Sequence, residues 1–268
     1  VTYIQAAVNK AAASGDTVQV AAGIYREDVD IVNKALKIFG ADPTITIVSG
    51  FTNAIYAHNF QSPTKLVEIV NLYLTAPGGI GVNFSGGNID GFIRNCIFRT
   101  NQKGFYTTYV GNVRITNNVF MESYDKAVDF HGSILTLSNN VFMNNATAVY
   151  RSSSTINSSY NSYFNNTTNR SSGVVSTNDL DGVDCKLIDP DSGDYHLQEE
   201  SPCINAGSPS PADNDYPDGT RNDIGVYGGY GTIDFCCPGL PIVTNLFITP
   251  SAVNSGGTFT IQATGKAQ

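Results

Sequence analysis

Charge is scarce in this chain: only 14% of its 268 residues are Asp, Glu, Lys or Arg, and 23 of these are acidic against 15 basic. The formal net charge of −8 and pI near 4.7 leave no basic stripe to neutralise phosphates, so nucleic acid is not an expected partner. No hydrophobic stretch is long enough to span a bilayer, and no export signal opens the chain, so Val1 reads as a mature or trimmed terminus. Hydrophobic residues still make up 41%, enough for a large core. With so little charge, the surface has to be built from Asn, Ser, Thr, Gly and Tyr. Such a surface suits sugars or close packing between subunits.

What the chain does have is a period. Asn95, Asn117, Asn139 and Asn161 lie 22 residues apart, and each is followed three residues later by Phe98, Phe120, Phe142 or Phe164. A fixed period of this size means that one small unit stacks on copies of itself. The segments Ile93–Phe98, Ile115–Phe120 and Leu137–Phe142 alternate apolar and polar residues and break at the Asn, which predicts two short strands meeting at a corner. Asparagine tolerates the left-handed region a corner requires. Stacked in register, the four amides are expected to form a hydrogen-bonded column. Leucine-rich repeats have a similar period, but their leucine spacing is missing. A third strand per coil is read from Gly79–Phe84, Gly104–Thr107, Ala127–Phe130 and Ala148–Tyr150. Period two then puts Asn83, Tyr106, Asp129, His131 and Tyr150 on one outer face.

Over residues 17–206 this pattern resembles the right-handed parallel β-helix proteins of the pectate-lyase-like superfamily, of the bacterial secreted or surface type. The resemblance implies an all-β solenoid of about 22 residues per coil, closed by an N-terminal helix over residues 1–16. Thr2–Gln5 reads as a capping box, with Ile4, Ala7, Val8 and Ala11 at helical spacing. Residues 207–237 form an acidic, Gly-rich closing segment. Residues 238–268 form a β-strand tail that resembles the beginning of an immunoglobulin-like module. The fold alone does not fix the function, since it hosts lyases, hydrolases, adhesins and inert spikes.

Five cysteines cannot all pair within one chain. Cys185 and Cys203 are expected to pair, with Cys236 and Cys237 as the alternative partners, and Cys96 reads as a free thiol within the stack. A disulfide points to a secreted, extracellular or cell-surface setting. Asn83, Asn145, Asn157, Asn165, Asn166 and Asn169 each begin an Asn-x-Ser/Thr triplet, a set that glycosylation or chance in Asn-rich coils explains.

Three chemistries follow from the residues. Asp213, Asp215, Asp218 and Asp223 are spaced to hold a structural calcium ion around the turn at Gly219, or else to cap that turn with Arg221. Tyr106 and Tyr150 flanking Asp129 form a strip suited to carbohydrate. Asp129, His131 and Lys103 are the candidates for acid–base catalysis by a polysaccharide lyase or glycoside hydrolase, weakened by the absence of a second carboxylate in the adjoining coils. The function expected is therefore structural or adhesive. The tail strands would contact a further copy of the chain or another surface protein, head to tail or by strand addition, and so build a filament.

Overall fold

The computed structural model describes residues 3–215 and 219–229, together with the strands 242–249 and 260–266. It divides the chain into two compact units, Val1–Thr232 and Ile233–Gln268. The first is a right-handed parallel β-helix made of three sheets. Eight strands from Ser14–Val20 to Val175–Thr177 form the first sheet, eight from Gly23–Tyr25 to Leu180–Asp181 the second, and seven from Val29–Val32 to Thr168–Arg170 the third. Each strand pairs in parallel with its counterpart one coil away, so every third strand in sequence is a neighbour in space.

Side chains that point into the coil are apolar and fully buried. In the third sheet they are Ile55, Val82, Phe105, Val128 and Val149, as the period-two reading requires. In the second sheet Phe98, Phe120, Phe142 and Tyr163 stack ring on ring, with centroids 4.4, 5.0 and 5.0 Å apart. The fourth ring is Tyr163, not the expected Phe164. The reason is coil length: Ile97, Val119, Val141 and Ser162 are in register at steps of 22, 22 and then 21 residues.

That missing residue also divides the asparagines into two columns. Asn95, Asn117 and Asn139 stand at the corner with φ of 50, 54 and 58°, but Asn161 does not belong with them. It belongs to an inner column one position later, with Cys96, Asn118 and Asn140. There the Oδ1 of Asn118 accepts the N–H of Cys96, that of Asn140 the N–H of Asn118, and that of Asn161 the N–H of Asn140, each at 2.9 Å. A second inner column, Asn101, Ser123, Asn145 and Asn166, occupies the next corner.

The ends are closed in different ways. Helix α1 (Ile4–Lys10) buries Ile4 and Val8 over the first coil. Its N-terminus is held by Glu27, whose carboxylate accepts the N–H groups of Ile4 and Gln5 at 2.7 and 3.0 Å; Thr2 of the expected capping box lies outside the described residues. Gln5 grips the backbone of Asp30, and the ammonium of Lys34 caps the carbonyls of Val8, Asn9 and Ala11. At the other end the Arg170 guanidinium lies 4.4 Å from the Tyr163 ring and pairs with Asp179 and Asp181.

The coil strands stop at Asp181 rather than continuing to residue 206. From Cys185 onward the chain runs back along the outside of the second sheet. Its outward side chains Ile97, Val119, Met121, Val141 and Met143 form a second core with Leu187, Tyr195, Cys203, Ile224 and Val226. The Cys185–Cys203 disulfide lies within this flap, with Cα atoms 5.2 Å apart, so it ties the flap to itself and not one coil to the next. The corner asparagines hold the flap's far end. Asn95 donates to the carbonyls of Val226 and Gly228, Asn117 to Asn222, Asp223 and Gly225, and Asn139 accepts the N–H of Ser208. In the second unit, Ile242–Thr249 and Thr260–Lys266 pair as an antiparallel hairpin. Cys236 and Cys237 lie outside the described residues.

Candidate functional site

On the outer face of the third sheet, backbone register places Asp30, Tyr56, Asn83, Tyr106, Asp129 and Tyr150 in one row, a residue per coil. A parallel row places Lys103 beside Lys126. These side chains come together because in-register stacking brings residues more than twenty positions apart to neighbouring strands.

Asp129 is the electrostatic centre of the face. Its side chain is 3% exposed and both oxygens are engaged: Oδ2 lies 2.5 Å from the Lys103 Nζ and 3.7 Å from the Lys126 Nζ, and Oδ1 lies 2.9 Å from the His131 Nε2. Burial works against the Lys126 ammonium, but Asp125 at 3.0 Å and Asp129 outweigh it and hold its pKa above the ordinary lysine value. The two ammonium groups also sit over tyrosine rings, Lys103 4.3 Å from Tyr106 and Lys126 5.0 Å from Tyr150. The expected catalytic set of Lys103, Asp129 and His131 is thus brought together as a network of a Lys–Asp ion pair and an Asp–His hydrogen bond that fixes its members to one another.

Two features of this face escaped the sequence reading. Asp30, Tyr56 and His58 repeat the arrangement nearer the helix cap, with His58 Nε2 at 2.7 Å from Asp30 Oδ1 and its ring stacked on Tyr56 at 4.3 Å. The longer early coils hide them, since Ile47 and Tyr73 are in register 26 residues apart. The second feature is an open groove of about 570 Å³ along the edge of the same face, lined by His131 with Thr108, Tyr109, Ser133, Ser152 and Ser153. Gly132 is part of the lining, and a Cβ there would come within 2.5 Å of the Phe130 ring and 2.7 Å of Val110.

In the acidic loop the described carboxylates accept hydrogen bonds from the surrounding chain. Asp215 accepts the N–H groups of Asp223 and Gly229, Asp223 accepts that of Asn205, and Asp213 accepts the Ser208 hydroxyl and faces Arg114. Arg221 turns to the carbonyls of Ala206 and Gly207. Among the described residues no group of three or more His, Cys, Asp or Glu side chains is gathered to hold a metal ion, and Asp218 lies outside them. Asp215 and Asp223 thus accept backbone N–H groups, while Asp213 accepts a hydroxyl.

Of the sequon asparagines, Asn145 is 2% exposed and carries the inner column, its amide donating to Phe120 and Asn166, so burial removes it as a glycan acceptor. Asn166 spends its amide in the same way, on Phe142 and Asn169, and accepts from Asn145. Asn157 and Asn165 are exposed, while Asn83 and Asn169 are half-buried. No helix among the described residues is long and apolar enough to cross a membrane.

A family profile described as a right handed beta helix region matches residues 44–185, just over half of the 268 residues. No curated protein matches the chain. The matched span covers the row from Tyr56 to Tyr150 and ends where the flap begins.

Proposed function

The chain belongs to the right-handed β-helix family, and on that premise we propose that it is an extracellular scaffold that binds carbohydrate along the outer face of its third sheet, in a structural or adhesive role. The observation that carries this reading is the state of Asp129. A glycosidase needs two carboxyl groups about 5–10 Å apart with room for a sugar or water between them. Asp129 is instead buried with both oxygens paired, and its register neighbours are Tyr106 and Tyr150. A face of fixed ion pairs and tyrosine rings can bind a sugar without cleaving it. The Cys185–Cys203 disulfide supports the extracellular setting.

Glycan-array binding that is lost in the Tyr106→Ala/Tyr150→Ala double variant is the expected result. Release of reducing or unsaturated ends from polysaccharides by the wild type would replace this reading with the enzymatic one. Assembly with further copies through the tail is supported by the second unit, which shows a two-stranded hairpin among its described residues; such a hairpin is marginal by itself in water and gains from pairing with another edge. Removing residues 238–268 should then leave a folded, unassembled coil in sedimentation, and an assembled product would end the tail-mediated version.

A further inference from the structure

Resting on the carbohydrate reading, we propose that the ligand is an uncharged sugar chain, and that Tyr109 in the groove beside the Asp129 row is its stacking platform. The first argument is charge. None of the residues that line the groove is Asp, Glu, Lys or Arg. The cations of the adjoining face are already committed, Lys103 and Lys126 to Asp125 and Asp129, and Arg151 to the carbonyls of Ser154 and Ser172. A uronate carboxylate would lose its water there with no Lys or Arg in the lining to pair it, which disfavours it. A neutral sugar meets the hydroxyls of Thr108, Ser133, Ser152 and Ser153, the imidazole of His131 and one ring. The volume, about 570 Å³, is that of an ordinary small-ligand cleft.

The second argument is conformational and independent of charge. The residue that follows the third-sheet strand takes the left-handed region in several coils: Asn33 at φ 51°, Asn59 at 59°, Gly86 at 86° and Tyr109 at 54°. Asparagine and glycine adopt this conformation at little cost, whereas a bulky aromatic does not. Tyr109 is held there by its N–H donating to the His131 carbonyl at 2.8 Å, yet its side chain is not packed: the residue is 81% exposed. Folding gains little from this ring. A sterically disfavoured residue kept at the rim of a groove fits a binding role, since a tyrosine face covers the apolar side of a pyranose.

The test compares calorimetric binding of cellohexaose, mannohexaose and hexagalacturonate to the wild type, to Tyr109→Gly and to Tyr106→Ala/Tyr150→Ala. At least one neutral hexamer is expected to bind ten or more times tighter than the uronate. Tyr109→Gly should weaken it by about tenfold, the size of one stacking contact, while its thermal midpoint stays level or rises. Glycine fits the backbone at 109, so loss of binding in that variant is not loss of fold. Uronate binding as tight as or tighter than the neutral chains overturns the inference and leaves the carbohydrate reading standing. So does wild-type affinity in Tyr109→Gly combined with loss in the double variant. Failure of all three to bind overturns the inference, and an empty array of wider glycans would end the carbohydrate reading as well.

Discussion

At Cys96 the sulfur lies 3.7 and 3.2 Å from the carbonyls of Ile69 and Arg94, the coil positions equivalent to Ile93 and Thr116, where Asn118 donates its amide. The thiol is therefore a weak donor in an asparagine's place. Burial pushes its pKa up to about 12. In the native protein Cys96 should not react with a thiol reagent at pH 8, and labelling should appear only on unfolding; labelling of the folded chain would contradict its place in the column. Cys96→Asn should supply the stronger donor and raise stability by about 1 kcal/mol, read as a shift in the midpoint of denaturant unfolding without a change in slope. The free thiol was legible, because Cys96 precedes a repeated apolar pair where later coils carry Asn.

The column is the element that sets coil register, and its energetics follow from counting its bonds. Asn140 accepts from the Asn118 N–H and amide and donates to Ile115 and Asn161, so Asn140→Ala leaves several buried groups unpaired and should cost about 3 kcal/mol in equilibrium unfolding. Asn139→Ala, one residue away, faces the flap and should cost less. In the other column Ser123 is too short for its place, and its buried hydroxyl has no partner among the described residues. Ser123→Asn is expected to reach the Phe98 carbonyl as Asn145 reaches Phe120, and to raise the thermal midpoint by about 2–4 °C. Alternation made the strands readable and the Asn-x-x-Phe spacing made the corners readable. Neither told the two columns apart, because adjacent asparagines such as Asn117 and Asn118 look alike in sequence and differ only in backbone angle and direction.

At the scale of the whole first unit, the flap could have been inferred from the pairs Ile97-Phe98, Val119-Phe120 and Val141-Phe142. Two consecutive apolar residues on a strand mean that both faces are covered. Opening the Cys185–Cys203 link in a Cys185→Ala/Cys203→Ala variant should cost about 3 kcal/mol by freeing a loop of this size in the unfolded chain. Hydrogen exchange should then rise first across residues 185–229 while the coil strands stay protected. Simultaneous loss of both would mean that flap and coil unfold as one unit.

The three corner asparagines that grip the flap also act as graduations on a ruler. A simple solenoid tolerates gain or loss of a repeat, since each coil touches only its neighbours. Here the carbonyls of Gly225 and Val226, adjacent in the chain, are held by Asn117 and Asn95, so an added coil between those two asparagines would move the anchor points apart by the spacing of one strand, about 4.8 Å, with no residue between them to follow. The step between these two coils is thereby fixed by a strap encoded downstream of the repeats it spans.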